Sequence, residues 1–213
     1  MKVAGGQAED GIIIGNTYDK YGTRNPIARR MVAGFDNALS GLVAKVKPGT
    51  IHEVGCGEGY WIIRWLGEGI DARGTDFSTQ VIDIAKENAR GRDMEPGRFA
   101  VRSIYDVIPE RDSADLIVCC EVMEHLEEPQ KALRALQRIA TSDLILSVPR
   151  EPLWRVLNLA RGKYVSAMGN TPGHVQHWSQ RGFVSLTSLF FDVVEVVAPL
   201  PWTMLHCKPK KRH

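Results

Sequence analysis

The stretch IHEVGCGEGYW, residues 51 to 61, sets Gly55, Gly57 and Gly59 at alternate positions between two apolar runs. Backbone without side chains bends at little steric cost and lets a ligand approach closely, so a strand that runs into such a cluster and leaves it as a helix has a flat ligand held against the turn. A strand, a glycine turn and a helix in that order open an α/β unit. This constrains the rest of the chain more than any other feature.

The remaining sequence fits. Short apolar runs rich in β-branched residues alternate with segments of helical period, the pattern of a doubly wound, mostly parallel sheet covered by helices on both faces. Strands are expected at 50–54, ending near Thr75, at 99–102, at 114–121 (ADLIVCCE), at 144–148 (LILSV), at 191–197 (FDVVEVV) and at 202–207 (WTMLHC). Helices are expected at 59–67, after the cap candidate Ser78 with Val81, Ile82 and Ala85 inward, and from Pro129 with Leu133, Leu136 and Ile139 inward. The last two strands are joined only by residues 198–201, too few for a parallel crossover, so they form an antiparallel hairpin. One domain over 1–213 is expected. It carries an N-terminal cap at about 15–47, with an amphipathic helix bearing Ile27, Met31, Phe35 and Leu39, and an insertion at about 149–190, too long for a simple connection.

In open α/β sheets ligands sit beyond the carboxyl ends of the strands, near the point where strand order reverses. Asp76 ends the second strand, 17 residues after Gly59, where a carboxylate can accept hydrogen bonds from both hydroxyls of a ribose. The ligand is then an adenosine derivative; a structural turn followed by a capping aspartate is the plainer alternative. A dinucleotide would lay a pyrophosphate on the helix N-terminus, which nearby carboxylates oppose. Glu53 precedes the turn and Glu58 lies within it. S-adenosylmethionine has no phosphate but a sulfonium and an α-ammonium, for which these carboxylates are favourable. The spacing G-x-G-x-G, in place of G-x-G-x-x-G, agrees.

At these residues the chain resembles a class I S-adenosylmethionine-dependent methyltransferase of the ubiquinone-methyltransferase-like (type 11) group. EVGCGEG (53–59) is similar to the first motif, GTDFS (74–78) to the acidic ribose motif, ADLIVCCEVMEHLEEP (114–129) to the fourth strand and its loop, and LILSVP (144–149) to the fifth. The resemblance implies a seven-stranded sheet with a reversed C-terminal strand, S-adenosyl-L-methionine as cofactor and S-adenosyl-L-homocysteine as product. It implies that Glu53 orders the methionine ammonium, that Gly55, Cys56 and Gly57 back the methionine portion, that Asp76 holds the ribose and that Phe77 flanks the adenine. Ile104 and Tyr105 stand where the group contacts the adenine edge, although the usual aspartate is not in its common position. Glu121 and Val122 follow the fourth strand and face the cofactor.

Methyl transfer is an in-line displacement for which alignment alone supplies much of the acceleration, about 7–11 kcal/mol in good cases, so no base is strictly required. His125, just past the fourth strand, is a candidate to line the site and accept a proton, or to tie down its loop. His174 and His177 lie in the Gly- and Pro-broken loop GNTPGHVQHWS (169–179), where a lid would fall, and are the other catalytic candidates. No carboxylate or cysteine is spaced to complete a zinc site with that pair, and no metal is expected. The helix in EPLWRVLNLARGKY (151–164) places Leu153, Trp154, Leu157 and Ala160 on one stripe, with Arg155, Arg161 and Lys163 elsewhere. This reads as core, as an apolar lid, or as a membrane-surface helix reaching a lipid-linked substrate.

Composition sets outer bounds. With 44 % hydrophobic and 24 % charged residues the chain can bury a full core. A net charge of +2 does not argue for nucleic acid, and the basic run Lys208, Pro209, Lys210, Lys211, Arg212 reads as a solvated terminus. Four cysteines without a CxxC pair, no apolar stretch near the ~20 residues of a membrane span, and no signal-peptide core suggest the cytoplasm. The expected partner is a small-molecule, glycan or lipid-linked acceptor, methylated on oxygen or nitrogen rather than carbon. The rivals are an RNA or protein methyltransferase, a dehydrogenase, and a catalytically silent cofactor-binding subunit. CEVM after the fourth strand, in place of (D/N)PPY, weighs against a nucleic-acid amine enzyme.

Overall fold

The computed structural model describes residues 1–9, 12–16, 21–162 and 164–210. Residues 17–20 of the expected cap, together with Lys163, Lys211 and Arg212, lie outside the described residues. A short antiparallel pair, β1 (Ala8–Glu9) and β2 (Ile12–Ile13), precedes helix α1 (Pro26–Val46). Asn25 starts α1: its side-chain oxygen accepts from the amides of Ile27 (2.9 Å) and Ala28 (3.1 Å), and Pro26 fills the first turn, where no amide is needed.

The main sheet comprises β3 (Thr50–Val54), β4 (Asp71–Asp76), β5 (Phe99–Val101), β6 (Ala114–Cys120), β7 (Ala140–Pro149), β8 (Phe191–Val197) and β9 (Trp202–Pro209). Its order is β5-β4-β3-β6-β7-β9-β8, with β9 antiparallel to both its neighbours and the first five strands parallel. The chain moves outward from β3 to β5 and then returns to β6 on the other side of β3, so the switch point lies between β3 and β6. The doubly wound sheet with a reversed last strand is as expected. β7 and β9 run further than the apolar runs that signalled them.

Alternation along the central strands divides the interior. Leu116, Val118 and Ile145 pack with α1, α2 (Tyr60–Gly67) and α3 (Thr79–Arg90) through Leu39, Trp61, Ile62, Trp65, Ile82 and Ala85. Ile117, Cys119, Leu144 and Leu146 face the opposite way, toward α5 (Pro129–Ile139) and α7 (Gln180–Thr187) through Leu133, Leu136, Ile139 and Phe183. The short α4 (Pro109–Asp112) leads into β6. Helix α3 is capped as expected, the Ser78 hydroxyl accepting from the Val81 amide at 3.1 Å.

Of the readings of 151–164, the core stripe is met only in part, with Trp154 packed against the buried core. In α6 (Leu153–Ala160) the stripe Leu153, Trp154, Leu157 and Ala160 is half-buried or exposed, and the buried side chain is Asn158. Asn158 donates to the Gly169 carbonyl (2.9 Å) and the Thr171 hydroxyl (3.1 Å), so α6 holds the loop after it instead of covering a sheet face. Among the described residues no helix is long and apolar enough to cross a membrane.

Candidate active site

The carboxyl ends of β3 and β6 open onto the glycine turn. The amides of Gly55 (2.7 Å) and Cys56 (3.0 Å) donate to the Thr75 carbonyl, anchoring the turn to β4. Gly57 has φ +53°, and a Cβ built there would meet nothing within 4 Å, so the turn presents open backbone. Gly59, at φ +81°, is different: a Cβ would stand 2.6 Å from the Phe99 ring, so this glycine lets α2 approach β5. Only the middle glycine faces open space.

Asp76 sits at the rim. Its carboxylate accepts from the Gly57 amide (3.1 Å) and the Ser78 amide (3.1 Å), and burial, with the Glu58 charge as a smaller influence, raises its pKa above the ordinary value. It thereby ties the ribose-motif corner to the turn. Glu53 is buried at the end of β3. Beside it the Tyr21 ring stacks on Tyr60 (centroids 3.4 Å apart, 4° between planes), and burial, followed by the Glu53 charge, pushes the Tyr21 phenol well above its ordinary pKa. Sequence reading missed Tyr21, because nothing local marks a tyrosine as one that folds back over a strand end some thirty residues on.

The side chains of the remaining cofactor candidates are not all at the turn. Cys56 is buried against Gly74 and Ile62, leaving its backbone to the site. Phe77 is 42 % exposed and available to a flat ligand. Ile104 belongs to the core with α5, and Tyr105 lies beneath the Lys131 ammonium of α5, 5.1 Å from the ring centroid. Val122 packs against the Cα side of Gly55. Glu121 has φ +58°, an uncommon conformation for a residue with a side chain. It is held there by its amide on the Ser147 carbonyl (3.1 Å), by the Ser147 hydroxyl (3.0 Å), and by the Trp202 indole N–H (2.6 Å) from the reversed strand.

Glu58 departs from the charge argument. Its buried carboxylate accepts from the Ala4 amide (3.1 Å), the Asn16 amide (2.6 Å) and the Asn16 side chain (2.5 Å), so it holds the N-terminal segment and does not line the ligand surface. Glu9 reaches the Ser78 hydroxyl and the Thr79 amide (3.3 Å), and Lys2 exchanges two bonds with Asn88, so residues 1–9 and 12–16 strap the turn and α3.

Beyond Glu121 lies a ring of aromatic and imidazole groups. His125 and His174 meet edge to face at 5.0 Å, Trp154 lies 6.1 Å from His174, and Trp154 and Trp202 are 5.9 Å apart. His125 Nδ1 stands 2.9 Å from the Gly173 carbonyl, an acceptor only, so Nδ1 carries the proton and Nε2 a lone pair. Burial, with His125 and His177 as secondary influences, lowers His174 to about 3; burial also lowers His125. An imidazole with so low a pKa is a neutral lone-pair donor and a weak proton acceptor. His177 is exposed, its Nε2 bonded to Asn170 at 2.7 Å, and it stands outside the ring contacts of the other two. The 169–179 loop is tied to the β6 end by the amides of Val175 (2.9 Å) and Gln176 (3.0 Å) donating to the Glu124 carbonyl.

The comparisons agree with this geometry. A family model described as "Methyltransferase domain" matches residues 52–147, which hold the turn, Asp76 and the β6 loop. The chain is 22 % identical over 184 residues to a ubiquinone biosynthesis O-methyltransferase of Acinetobacter baylyi, covering 84 % of this chain and 74 % of that one. It is 28 % identical over 84 residues to a Coxiella burnetii protein of the same name, covering 39 % of this chain and only 36 % of that one. The structure of magnesium protoporphyrin IX methyltransferase from Synechocystis, solved with SAH bound, superposes with a TM-score of 0.67 at 18 % identity, covering 90 % and 91 % of the two chains. The family match spans just under half of the chain, and these findings together support a class I S-adenosylmethionine-dependent methyltransferase. Its cofactor is S-adenosyl-L-methionine, and the open backbone at Gly57 between Glu53 and Asp76 fits it.

Proposed function

We propose that the chain methylates an oxygen or nitrogen of a small-molecule, glycan or lipid-linked acceptor, as a single domain in which residues 15–47 cap the cofactor side and 149–190 form the acceptor side. The bound cofactor supplies an electrophilic methyl on a sulfonium. Glu53 holds the ammonium end, Gly57 presents bare backbone to the methionine portion, Asp76 takes the ribose hydroxyls and Phe77 lies along the adenine. The carrying observation is the ring of His125, His174, Trp154 and Trp202 beside Glu121, which offers flat apolar surface and neutral imidazoles where an acceptor would enter. Such a surface suits a compact or planar acceptor better than a polyanion. It also excludes water from the reacting centre and gives a departing proton a nitrogen to meet.

Two measurements test this. Calorimetry should give micromolar binding of S-adenosylhomocysteine and none of NAD. A tritiated-methyl screen against fractionated cell extracts should label a fraction of low molecular mass or one extractable into organic solvent. Label confined to RNA or protein would overturn the acceptor class, and cofactor binding with no label in any fraction would favour the silent subunit. His174→Ala should leave cofactor affinity within about threefold while lowering turnover ~100-fold or more, the size of effect expected when an acceptor-positioning contact is lost.

A further inference from the structure

We propose that Glu124, His125 and His174 form a binding site for a divalent first-row transition metal ion. One donor atom from each residue lies within 4.8 Å of the other two. The set is a carboxylate and two imidazoles, the chemistry that zinc, manganese, iron and cobalt share in sites that keep positions open for an exogenous oxygen. Sequence spacing pointed away from a metal because it sought a third ligand for His174 and His177. The fold instead replaces His177 with two adjacent residues from the β6 end, some fifty positions earlier.

The surroundings are those of a prepared site. His125 donates its Nδ1 proton to the Gly173 carbonyl at 2.9 Å, which fixes the ring and turns Nε2 outward as a lone pair; histidines that hold metals use this same outer bond. Glu124 is 2 % exposed, so its side chain lies inside the protein, where a nearby cation is favoured. Its backbone carbonyl receives both the Val175 and the Gln176 amides, which sets His174 beside it without any help from a ligand. Donors about 2.0–2.2 Å from a tetrahedral ion sit about 3–3.5 Å from one another, so the trio closes by up to about 1.5 Å on binding. Gly173, at φ +86° and next to His174, is the backbone joint that permits it.

The site lies against Trp154 and on the path from Glu121 to the loop. A metal there would bind an acceptor hydroxyl or carbonyl oxygen and polarise it. That role rests on the proposed acceptor side; the metal binding itself does not.

The test is equilibrium dialysis of the full-length protein against manganese, zinc or cobalt salts, followed by elemental analysis. One equivalent should bind saturably. Cobalt should also quench the fluorescence of Trp154, whose ring is 6.1 Å from His174. His125→Ala, His174→Ala and Glu124→Gln should each weaken binding at least tenfold, while His177→Ala keeps it. Circular dichroism checks the fold, and if the buried Glu124→Gln variant unfolds, the two half-buried histidines decide. Absence of saturable binding up to millimolar metal, or binding that survives both histidine substitutions, overturns the proposal. Loss of metal with methyl transfer intact would leave the site real and its role toward the acceptor wrong. Failure of the acceptor screen alone leaves it standing.

Discussion

At Gly57 a Cβ would meet nothing within 4 Å, whereas at Gly59 it would stand 2.6 Å from Phe99. Two glycines of one motif thus meet different surroundings, one open space and the other the packing of α2 on the sheet. Gly57→Val should leave the protein folded, at a backbone cost of about 1–2 kcal/mol for a side chain in the left-handed region, and should abolish S-adenosylhomocysteine binding by calorimetry. A variant that binds normally would show that the open space is unused. Asp76 holds the Gly57 and Ser78 amides, and in the proposed function it also takes the ribose hydroxyls. Losing a charge-assisted hydrogen bond costs about 1.5–3 kcal/mol, so Asp76→Ala should weaken cofactor binding about ten- to a hundredfold. An unchanged dissociation constant would reduce Asp76 to a cap.

Among the elements, the N-terminal strap has the least local support, and Glu58 supplies more of its attachments than Asn88 or Glu9 does. Glu58 accepts from the backbone amides of Ala4 and Asn16 and from the Asn16 side chain in a buried position, so Glu58→Ala leaves three donors without an acceptor, at about 1–3 kcal/mol for each that stays buried. Limited proteolysis of the variant should cut within the first twenty residues far faster than in the wild type, while the sheet stays intact by circular dichroism. Equal cleavage rates would mean the strap is held by Asn88 and Glu9 instead. This strap shows where sequence reading stops. Strands β3, β6 and β8, the Ser78 cap and the closing hairpin are encoded within ten or so neighbouring residues, in periodicity, β-branching and turn length, and they were legible. The partners of Glu58 lie 42 and 54 positions away, and no local pattern distinguishes a carboxylate that faces a ligand from one that caps a distant backbone. The same holds for α6, whose apolar stripe was legible while the burial of Asn158 was not, and for Glu124, which joins His174 only through the fold.

The scale of the whole molecule is set by β3, the strand on which both packed faces meet, and His52 lies at its centre. The ring is fully buried, with Nδ1 2.7 Å from the Asp112 carbonyl and Nε2 2.9 Å from the Thr75 hydroxyl. The carbonyl can only accept, so Nδ1 donates and Nε2 receives the threonine proton, and the neutral ring satisfies both neighbours. Burial is the main cause that lowers His52 to about 4 from 6.5; the Arg73 and Arg102 charges act the same way, against the raising influence of Asp112. Above pH 6.5 the ring is neutral whether the chain is folded or not. Between 6.5 and 4 the unfolded chain takes up a proton that the folded one refuses, so stability falls as pH falls, by about 3 kcal/mol for this group. His174, lowered to about 3, works in the same direction and contributes at least as much. Urea unfolding at pH 7 and pH 4.5 should therefore show a marked acid loss in the wild type. His52→Gln, which can still donate to Asp112 and accept from Thr75 but cannot titrate, should remove the His52 share of that loss, about half of what His52 and His174 contribute together. If the variant keeps the whole acid slope, the proton that destabilises the fold goes elsewhere, and the centre of the sheet is not its pH-sensitive point.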